Sequence, residues 1–81
     1  MSVEVLYFAV LRDLVGLDRE ELEVPNGSTI RGLARDLEHR HPALAGRLRI
    51  VRFALDETFV TEDTALHDGA VVALIPPVAG G

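Results

Sequence analysis

The sequence contains no cysteine among its 81 residues, and all eight of its basic residues are arginine, so lysine is absent as well. Without a thiol, the chain can form neither a disulfide nor a persulfide on a side chain. Without lysine, it has no side-chain amine for a Schiff base or an isopeptide bond. Sulfur chemistry on cysteine and acyl chemistry on lysine are therefore excluded.

Positive charge is scarce, because the eight arginines stand against thirteen acidic residues and the formal net charge is −5 at pH 7. The arginines are spread along the chain and form no basic cluster. A surface of this composition repels polyanions. We therefore expect neither a nucleic acid nor an anionic membrane as a partner.

Long hydrophobic runs are also missing, since none approaches the roughly 18 residues that a membrane-spanning helix requires. The first residues lack the basic and apolar regions of a secretion signal. We therefore expect a cytoplasmic protein. A chain of 81 residues, 48% of them hydrophobic, has room for one domain with one core, and its high apolar content favours an exposed surface for a partner protein.

Alternation of apolar and polar side chains predicts strands in five segments. These are Val3 to Ala9, Arg19 to Val24, Ile50 to Leu55, Phe59 to Thr61 and Ala70 to Ile75. In the first segment Val3, Val5, Tyr7 and Ala9 share the inward face. The last segment is apolar on both faces, which is typical of a strand in the middle of a sheet.

Helical periodicity is clear in one place, where Ile30, Leu33, Ala34 and Leu37 fall on one face at i, i+3, i+4 and i+7. Ser28 or Thr29 is the expected N-cap of this helix, and Pro42 limits its end. A shorter helix is expected between Val10 and Val15, ahead of Gly16. The order β-β-α-β-β-β predicts an α+β fold, with a mixed sheet packed on one main helix.

Catalytic motifs are weak throughout the sequence. His39, His41 and His67 do not have the spacing of metal ligands, and Glu20, Glu21 and Glu23 are most simply a solvated strand face. We therefore expect the chain to hold no metal and no cofactor, and not to be an enzyme by itself.

The last six residues are unusual, since two prolines are followed by an apolar stretch that ends on two glycines. They are Pro76, Pro77, Val78, Ala79, Gly80 and Gly81. The Pro-Pro step favours an extended segment, and glycine, which has no Cβ, can pass through a narrow tunnel. A pair of terminal glycines has a chance frequency of only about 0.5% at average usage. We therefore predict a folded domain over residues 1–75 and a functional tail over residues 76–81.

A terminal carboxylate on Gly81 would be the only charge in this tail. A carboxylate with a pKa of roughly 3.5 is ionised in the cell and is a poor acyl electrophile. It must be activated before it can accept sulfur, which implies ATP used by another protein.

Several short motifs together carry a family resemblance. They are Tyr7-Phe8-Ala9, the segment from Arg12 to Gly16, Asp68-Gly69, and Pro76-Pro77-Val78 followed by Gly80-Gly81. With them, the chain resembles the small, sulfur-carrying subunits of molybdopterin synthase in the ubiquitin-like MoaD/ThiS family.

The resemblance implies a β-grasp fold and a sulfur-transfer cycle. Gly81 would be adenylated by an adenylyltransferase related to ubiquitin-activating enzymes and converted to a thiocarboxylate with sulfur from a donor protein. The tail would then enter the large synthase subunit, which supplies the catalytic groups, and give sulfur to the pterin precursor of the molybdenum cofactor. Pro76 to Gly80 would form the threading segment.

Three alternatives to this function remain open. Sulfur carriers of the thiamine pathway also end in Gly-Gly, and so do small protein modifiers that are conjugated to lysines of other proteins. In a third reading the chain is an interaction module with an inert tail. The Pro-Pro step and the apolar tail favour the molybdopterin branch.

Strand parity predicts a docking surface beside the tail. If Val5 and Tyr7 face the helix, Leu6 and Phe8 face away from it. The same reasoning places Phe59 and Ile75 on the outer face. We therefore assign partner binding to Phe8, Phe59, Ile75 and Leu6. Arg12, from the family-like segment that ends at Gly16, is included with them.

Overall fold

The computed structural model describes residues 1–77 and contains a five-stranded sheet and two α-helices. In chain order the elements are β1 (Ser2–Tyr7), α1 (Ala9–Val15), β2 (Arg19–Glu23), α2 (Ile30–Arg40), two 3₁₀ turns (Pro42–Leu44 and Leu48–Ile50), β3 (Arg52–Leu55), β4 (Thr58–Val60) and β5 (Ala70–Ile75). Neither helix in this part of the chain is long and apolar enough to cross a membrane.

The strand order across the sheet is β2-β1-β5-β3-β4, which places β5 in the middle. β1 and β5 run parallel, with Tyr7 opposite Leu74, while the other neighbouring pairs are antiparallel. The predicted α+β architecture and the central position of the last strand are thereby confirmed. The central position suits the two apolar faces of β5, which has a neighbouring strand on each edge.

Helix α2 lies against one face of the sheet through the predicted apolar stripe. Ile30, Leu33, Ala34 and Leu37 are all buried. At its start the Thr29 hydroxyl accepts a hydrogen bond from the Gly32 amide at 3.2 Å, so Thr29 is the N-cap. The helix and the inward strand residues enclose one hydrophobic core.

Several strand boundaries differ from the prediction. β1 begins one residue earlier, at Ser2, and β2 ends one residue earlier, at Glu23. β1 ends at Tyr7, and Ala9, predicted to be inward on the strand, is exposed and begins α1 with φ +50°. Ile50, predicted to begin β3, lies in a 3₁₀ turn closed by the Val51 amide to the Leu48 carbonyl at 3.3 Å. The pairing of β3 with β5 starts only at Arg52, opposite Ile75, because the next residue of β5 is a proline without an amide hydrogen.

The β3–β4 hairpin turns on two residues, Asp56 and Glu57, which both have positive φ, +48° and +72°. Two such residues in succession form the turn that matches the twist of a tight hairpin. Thr58, which lay between the two predicted strands, pairs with Leu55. β4 therefore starts and ends one residue earlier than predicted.

Candidate functional site at the root of the tail

The central strand β5 ends at Ile75 and leads directly into Pro76 and Pro77, which we call the tail root together with Ile75. Pro76 is half-buried and Pro77 is exposed. The predicted threading and reactive residues beyond them, numbered 78 to 81, lie outside the described part of the chain. Within the described residues, the candidate site therefore consists of the surfaces around the tail root.

The outer face of the sheet carries a row of side chains that crosses four strands. The strand registers place Leu6 opposite Ala73, Ala73 opposite Ala54, and Ala54 opposite Phe59. Three of these positions are aliphatic and the last is an aromatic ring that is 52% exposed. This face therefore presents an apolar surface away from α2, as strand parity predicts.

A second row lies at the level of the tail root. Phe8 is 45% exposed and follows Tyr7, whose partner on β5 is Leu74, so it reaches the level of Ile75. Arg52 pairs with Ile75 and its guanidinium lies 3.9 Å above the centre of the Phe59 ring. Phe8 and Phe59 are exposed as predicted, but a cation stands between Ile75 and Phe59, so the surface is not purely apolar.

Arg12 lies on α1, where its side chain is exposed and its Nε is 3.7 Å from a carboxylate oxygen of Asp18. Both residues line a shallow depression that also includes Leu6 and Phe8. The predicted partner-binding residues Leu6, Phe8 and Arg12 are thus neighbours in the structure. Arg12 places positive charge at the edge of the apolar face.

A groove of about 330 Å³ lies on the other side of the tail root, at the end of the core. Its lining includes the side chains of Val10, Leu14, Arg47, Ile50 and Pro77. The sequence prediction did not include this groove. Its apolar residues come from α1 and from the turn before β3, so only the folded chain brings them together.

A partly buried polar network lies beneath the end of β1. The Tyr7 hydroxyl donates a hydrogen bond to Glu20 Oε1 at 2.5 Å, and His41 Nε2 lies 2.5 Å from the same oxygen. Burial, followed by the hydrogen bond to Glu20, raises the pKa of Tyr7 well above its usual value. The phenol therefore stays protonated and acts as a donor.

This network corrects one sequence prediction. Glu20 was assigned to a solvated face with Glu21 and Glu23, whereas its side chain is only 18% exposed and points to the core side of β2. Glu20 has the same parity as Leu22, which was the available signal in the sequence. A carboxylate at an inward position requires partners, and Tyr7 and His41 provide them.

The third histidine lies at the opposite end of the sheet. His67 Nε2 is 2.6 Å from Asp56 Oδ2, and the other oxygen of Asp56 accepts the Val71 amide at 3.0 Å. The hydrogen bond to Asp56 raises the pKa of His67, and the Val71 amide lowers that of Asp56. Within residues 1–77 no three histidine or acidic side chains are close enough to hold a metal ion.

Comparison with known proteins shows a close sequence relation. A model of the ThiS family matches residues 5–81. The molybdopterin synthase sulfur carrier subunit of Mycobacterium tuberculosis is 38% identical over 82 residues, covering 100% of this chain and 99% of the relative. The corresponding subunit of Chlamydomonas reinhardtii is 36% identical over 83 residues, with both chains covered completely. Small archaeal modifier protein 3 of Haloferax volcanii is 33% identical over 92 residues, again with complete coverage of both.

Solved structures show the same relation. SAMP1 from Haloferax volcanii superimposes with a TM-score of 0.92 at 26% identity, covering both chains completely. A chain from the protein–protein complex of subunits 1 and 2 of the molybdopterin-converting factor of Helicobacter pylori matches with a TM-score of 0.72 at 27% identity and complete coverage. By its sequence over residues 5–81 and by its β-grasp fold, the chain belongs to the ThiS family of ubiquitin-like proteins, alongside relatives named as sulfur carrier subunits of molybdopterin synthase.

Proposed function

We propose that this protein carries sulfur for the synthesis of molybdopterin, with the carboxylate of Gly81 as its reactive group. The observation that supports this function most directly is the tail root, where the central strand of a family-typical fold leads into Pro76 and Pro77 between two apolar surfaces. The full-length similarity to sulfur carrier subunits of molybdopterin synthase supports the same assignment.

The proposed chemistry has two steps and requires nothing from the folded domain except delivery. In the first step a carboxylate oxygen of Gly81 attacks the α-phosphate of ATP, pyrophosphate leaves, and an acyl adenylate forms. In the second step hydrosulfide supplied by a sulfur donor protein attacks the acyl carbon, AMP leaves and a proton is released, so the product is a thiocarboxylate. Activation is needed because the ionised carboxylate is a poor electrophile.

Three partners follow from this scheme: an adenylyltransferase that uses ATP, a protein that donates sulfur, and a large synthase subunit that receives the loaded tail. The Helicobacter pylori relative, solved as a complex with its subunit 2, supports the last of them. In this arrangement the chain is the sulfur-donating subunit of a heteromeric transferase and binds no cofactor itself. We propose the cytoplasm as the location of this cycle, where ATP is available.

The outer face of the sheet is the proposed docking surface for the large subunit. Phe8 and Phe59 are 45% and 52% exposed. They lie on the outer face of the sheet, which also carries Ile75, the last strand residue before the tail. Large exposed side chains of this kind are typical of residues that dominate protein interfaces. Arg12 and Arg52 supply charge at the edge of this surface.

A second candidate function is conjugation of Gly81 to lysines of other proteins. The similarity to small archaeal modifier protein 3 and to SAMP1 favours it. Both functions begin with the same adenylate and differ in whether sulfur or an amine attacks it. Sulfur transfer predicts a free thiocarboxylate, whereas modification predicts a ladder of larger conjugates on a denaturing gel. A thiamine-pathway carrier would form the same thiocarboxylate but would not restore molybdopterin synthesis with a large synthase subunit.

Sulfur loading of tail variants tests the proposed function. Deleting Gly81, or adding one residue after it, should abolish loading by the adenylyltransferase and sulfur donor without changing the melting temperature. Gly80→Val should keep the carboxylate but slow activation, because a β-branched side chain widens the tail and restricts φ. Intact-mass spectra taken during the reaction provide the measurement. A variant extended beyond Gly81 that still acquires sulfur would rule out the proposal.

A further inference from the structure

The groove on the inner side of the tail root is lined by residues that do not belong to the outer docking face. Val10 and Leu14 come from α1, Ile50 comes from the 3₁₀ turn before β3, and Pro76 and Pro77 complete the lining. Leu11 and Val51, which belong to the hydrophobic core, form its floor. The floor of the groove is therefore part of the packed hydrophobic core.

The rim of this groove exposes more apolar surface than folding requires. Ile50 is 70% exposed and Val10 is 50% exposed, and both line the groove. They contribute little to the core, so their exposure has no structural benefit within residues 1–77. Paired exposed side chains over a preformed apolar floor are typical of a surface that another protein covers.

Charge indicates the chemistry of what covers it. Arg47 is the one charged residue among those that line the groove. The ion pairs among residues 1–77 include Arg12, Arg19, Arg31 and Arg40. Arg47 takes part in none of them, as is also true of Arg35, Arg49 and Arg52. An apolar pocket with a single available guanidinium fits an apolar side chain that has a carboxylate beside it.

The position of the groove identifies the kind of partner. A protein that draws the tail into a tunnel has walls on every side of Pro76 and Pro77, so the rim of its tunnel meets the carrier on both sides of the root. One side is the outer face with Phe8 and Ile75, and the other is the groove. Contact on both faces also supplies the larger buried area that a stable complex needs.

We propose that the large synthase subunit, at the mouth of its tail tunnel, inserts an apolar side chain into the groove formed by Val10, Leu14 and Ile50, and pairs an adjacent carboxylate with Arg47. This inference rests on the proposed function for the identity of the partner. It adds a second contact surface, on the opposite side of the tail root from the outer sheet face. The tail is thus held between two contacts of the same partner.

Binding of the full-length carrier to the large subunit tests the proposal by calorimetry. Ile50→Ser and Arg47→Glu should each weaken the affinity about tenfold or more, with unchanged melting temperatures because both side chains are exposed. Leu17→Ser is the matched control for Ile50→Ser, since Leu17 is 42% exposed and does not line the groove. Arg35→Glu is the control for Arg47→Glu, because it changes the net charge equally from a residue of α2 that does not line the groove.

The outcomes separate this proposal from the proposed function. If the unaltered carrier binds the large subunit and both groove variants bind as tightly as their controls, the groove is not a contact and the proposal is wrong. If the unaltered carrier fails to bind the large subunit, the assignment of the partner fails, and the inference fails with it. A loss of affinity shared by Arg47→Glu and Arg35→Glu would show a general charge effect and would also overturn the carboxylate contact.

Discussion

At the scale of single residues, Tyr7 combines a buried ring with a hydroxyl group that needs a hydrogen-bond partner. Its ring is buried at 2% exposure, and its hydroxyl reaches Glu20, which also meets His41. Three elements, β1, β2 and the end of α2, therefore meet at one carboxylate oxygen. Because Tyr7 stands directly opposite Leu74, this network fixes the end of β1 next to the strand that leads into the tail.

Replacing Tyr7 by phenylalanine should lower the free energy of unfolding by about 1 kcal/mol at pH 7, because one partly buried hydrogen bond is lost while the ring is kept. The raised pKa of Tyr7 adds a pH dependence. The stabilisation is fully present below the unfolded value of 10.0 and is lost as pH rises above it, since only the unfolded state ionises there. The difference between the two proteins in urea unfolding should therefore shrink above pH 10. A constant difference across that range would contradict this account.

This network was not predicted from the sequence, although one part of it was predictable. The parity of β2 places Glu20 on the same side as Leu22, so an inward carboxylate was predictable from the alternation alone. Its partners were not predictable, because His41 lies 21 residues away and is brought near only when α2 packs on the sheet. The positive φ of Ala9 is equally hidden, since it results from starting a helix immediately after a strand.

At the scale of elements, two glycines in or beside helices have opposite roles. Gly32 lies in the first turn of α2, where an added Cβ would meet the Thr29 hydroxyl at an ordinary 3.7 Å. Gly16 ends α1 with φ +82°, a conformation that favours glycine, and its amide bonds to the Arg12 carbonyl at 2.7 Å. Gly32 therefore lowers the stability of α2, whereas Gly16 provides the conformation that ends α1.

The same substitution at these two positions should therefore have opposite effects. Gly32→Ala should raise the free energy of unfolding by up to about 1 kcal/mol, because alanine restricts the unfolded chain and fits the helix. Gly16→Ala should lower it by about 1 kcal/mol, because alanine is strained at positive φ. Chemical denaturation of the two variants measures both values. Effects of the same sign would show that the backbone conformation does not explain them.

Element types were more predictable than element ends. The 3.6-residue pattern over α2 and the two apolar faces of β5 each follow from local spacing, and both were predicted correctly. Strand ends depend on partners: β3 begins at Arg52 because its neighbour β5 ends at Ile75 before a proline. Periodicity alone therefore extended β3 to Ile50, which is exposed in a turn.

At the scale of the whole molecule, the tail root separates two surfaces of different origin. The outer face follows from strand parity and was predicted from the sequence, whereas the groove requires α1 and the turn before β3 to meet and was not. The presence of Arg52 over the Phe59 ring was also not predictable, because it depends on the register between β3 and β4.

Substitutions on the outer face should affect partner binding more than folding. Phe8→Ala should weaken the affinity for the large synthase subunit about tenfold or more while changing the melting temperature little, because the side chain is nearly half exposed. Ile75→Ala should weaken binding similarly, with a somewhat larger effect on stability since Ile75 is half-buried. Large losses of stability with unchanged affinity would show that these side chains serve the fold.

The central claim is that Gly81 accepts sulfur, and intact-mass spectrometry of the protein tests it most directly. The protein would be incubated with ATP, the adenylyltransferase and the sulfur donor, beside a variant that lacks Gly81. The account predicts that the mass of the unaltered protein rises by the difference between one sulfur atom and one oxygen atom, and that the variant keeps its mass. No increase in the unaltered protein, or an equal increase in the variant, would contradict it.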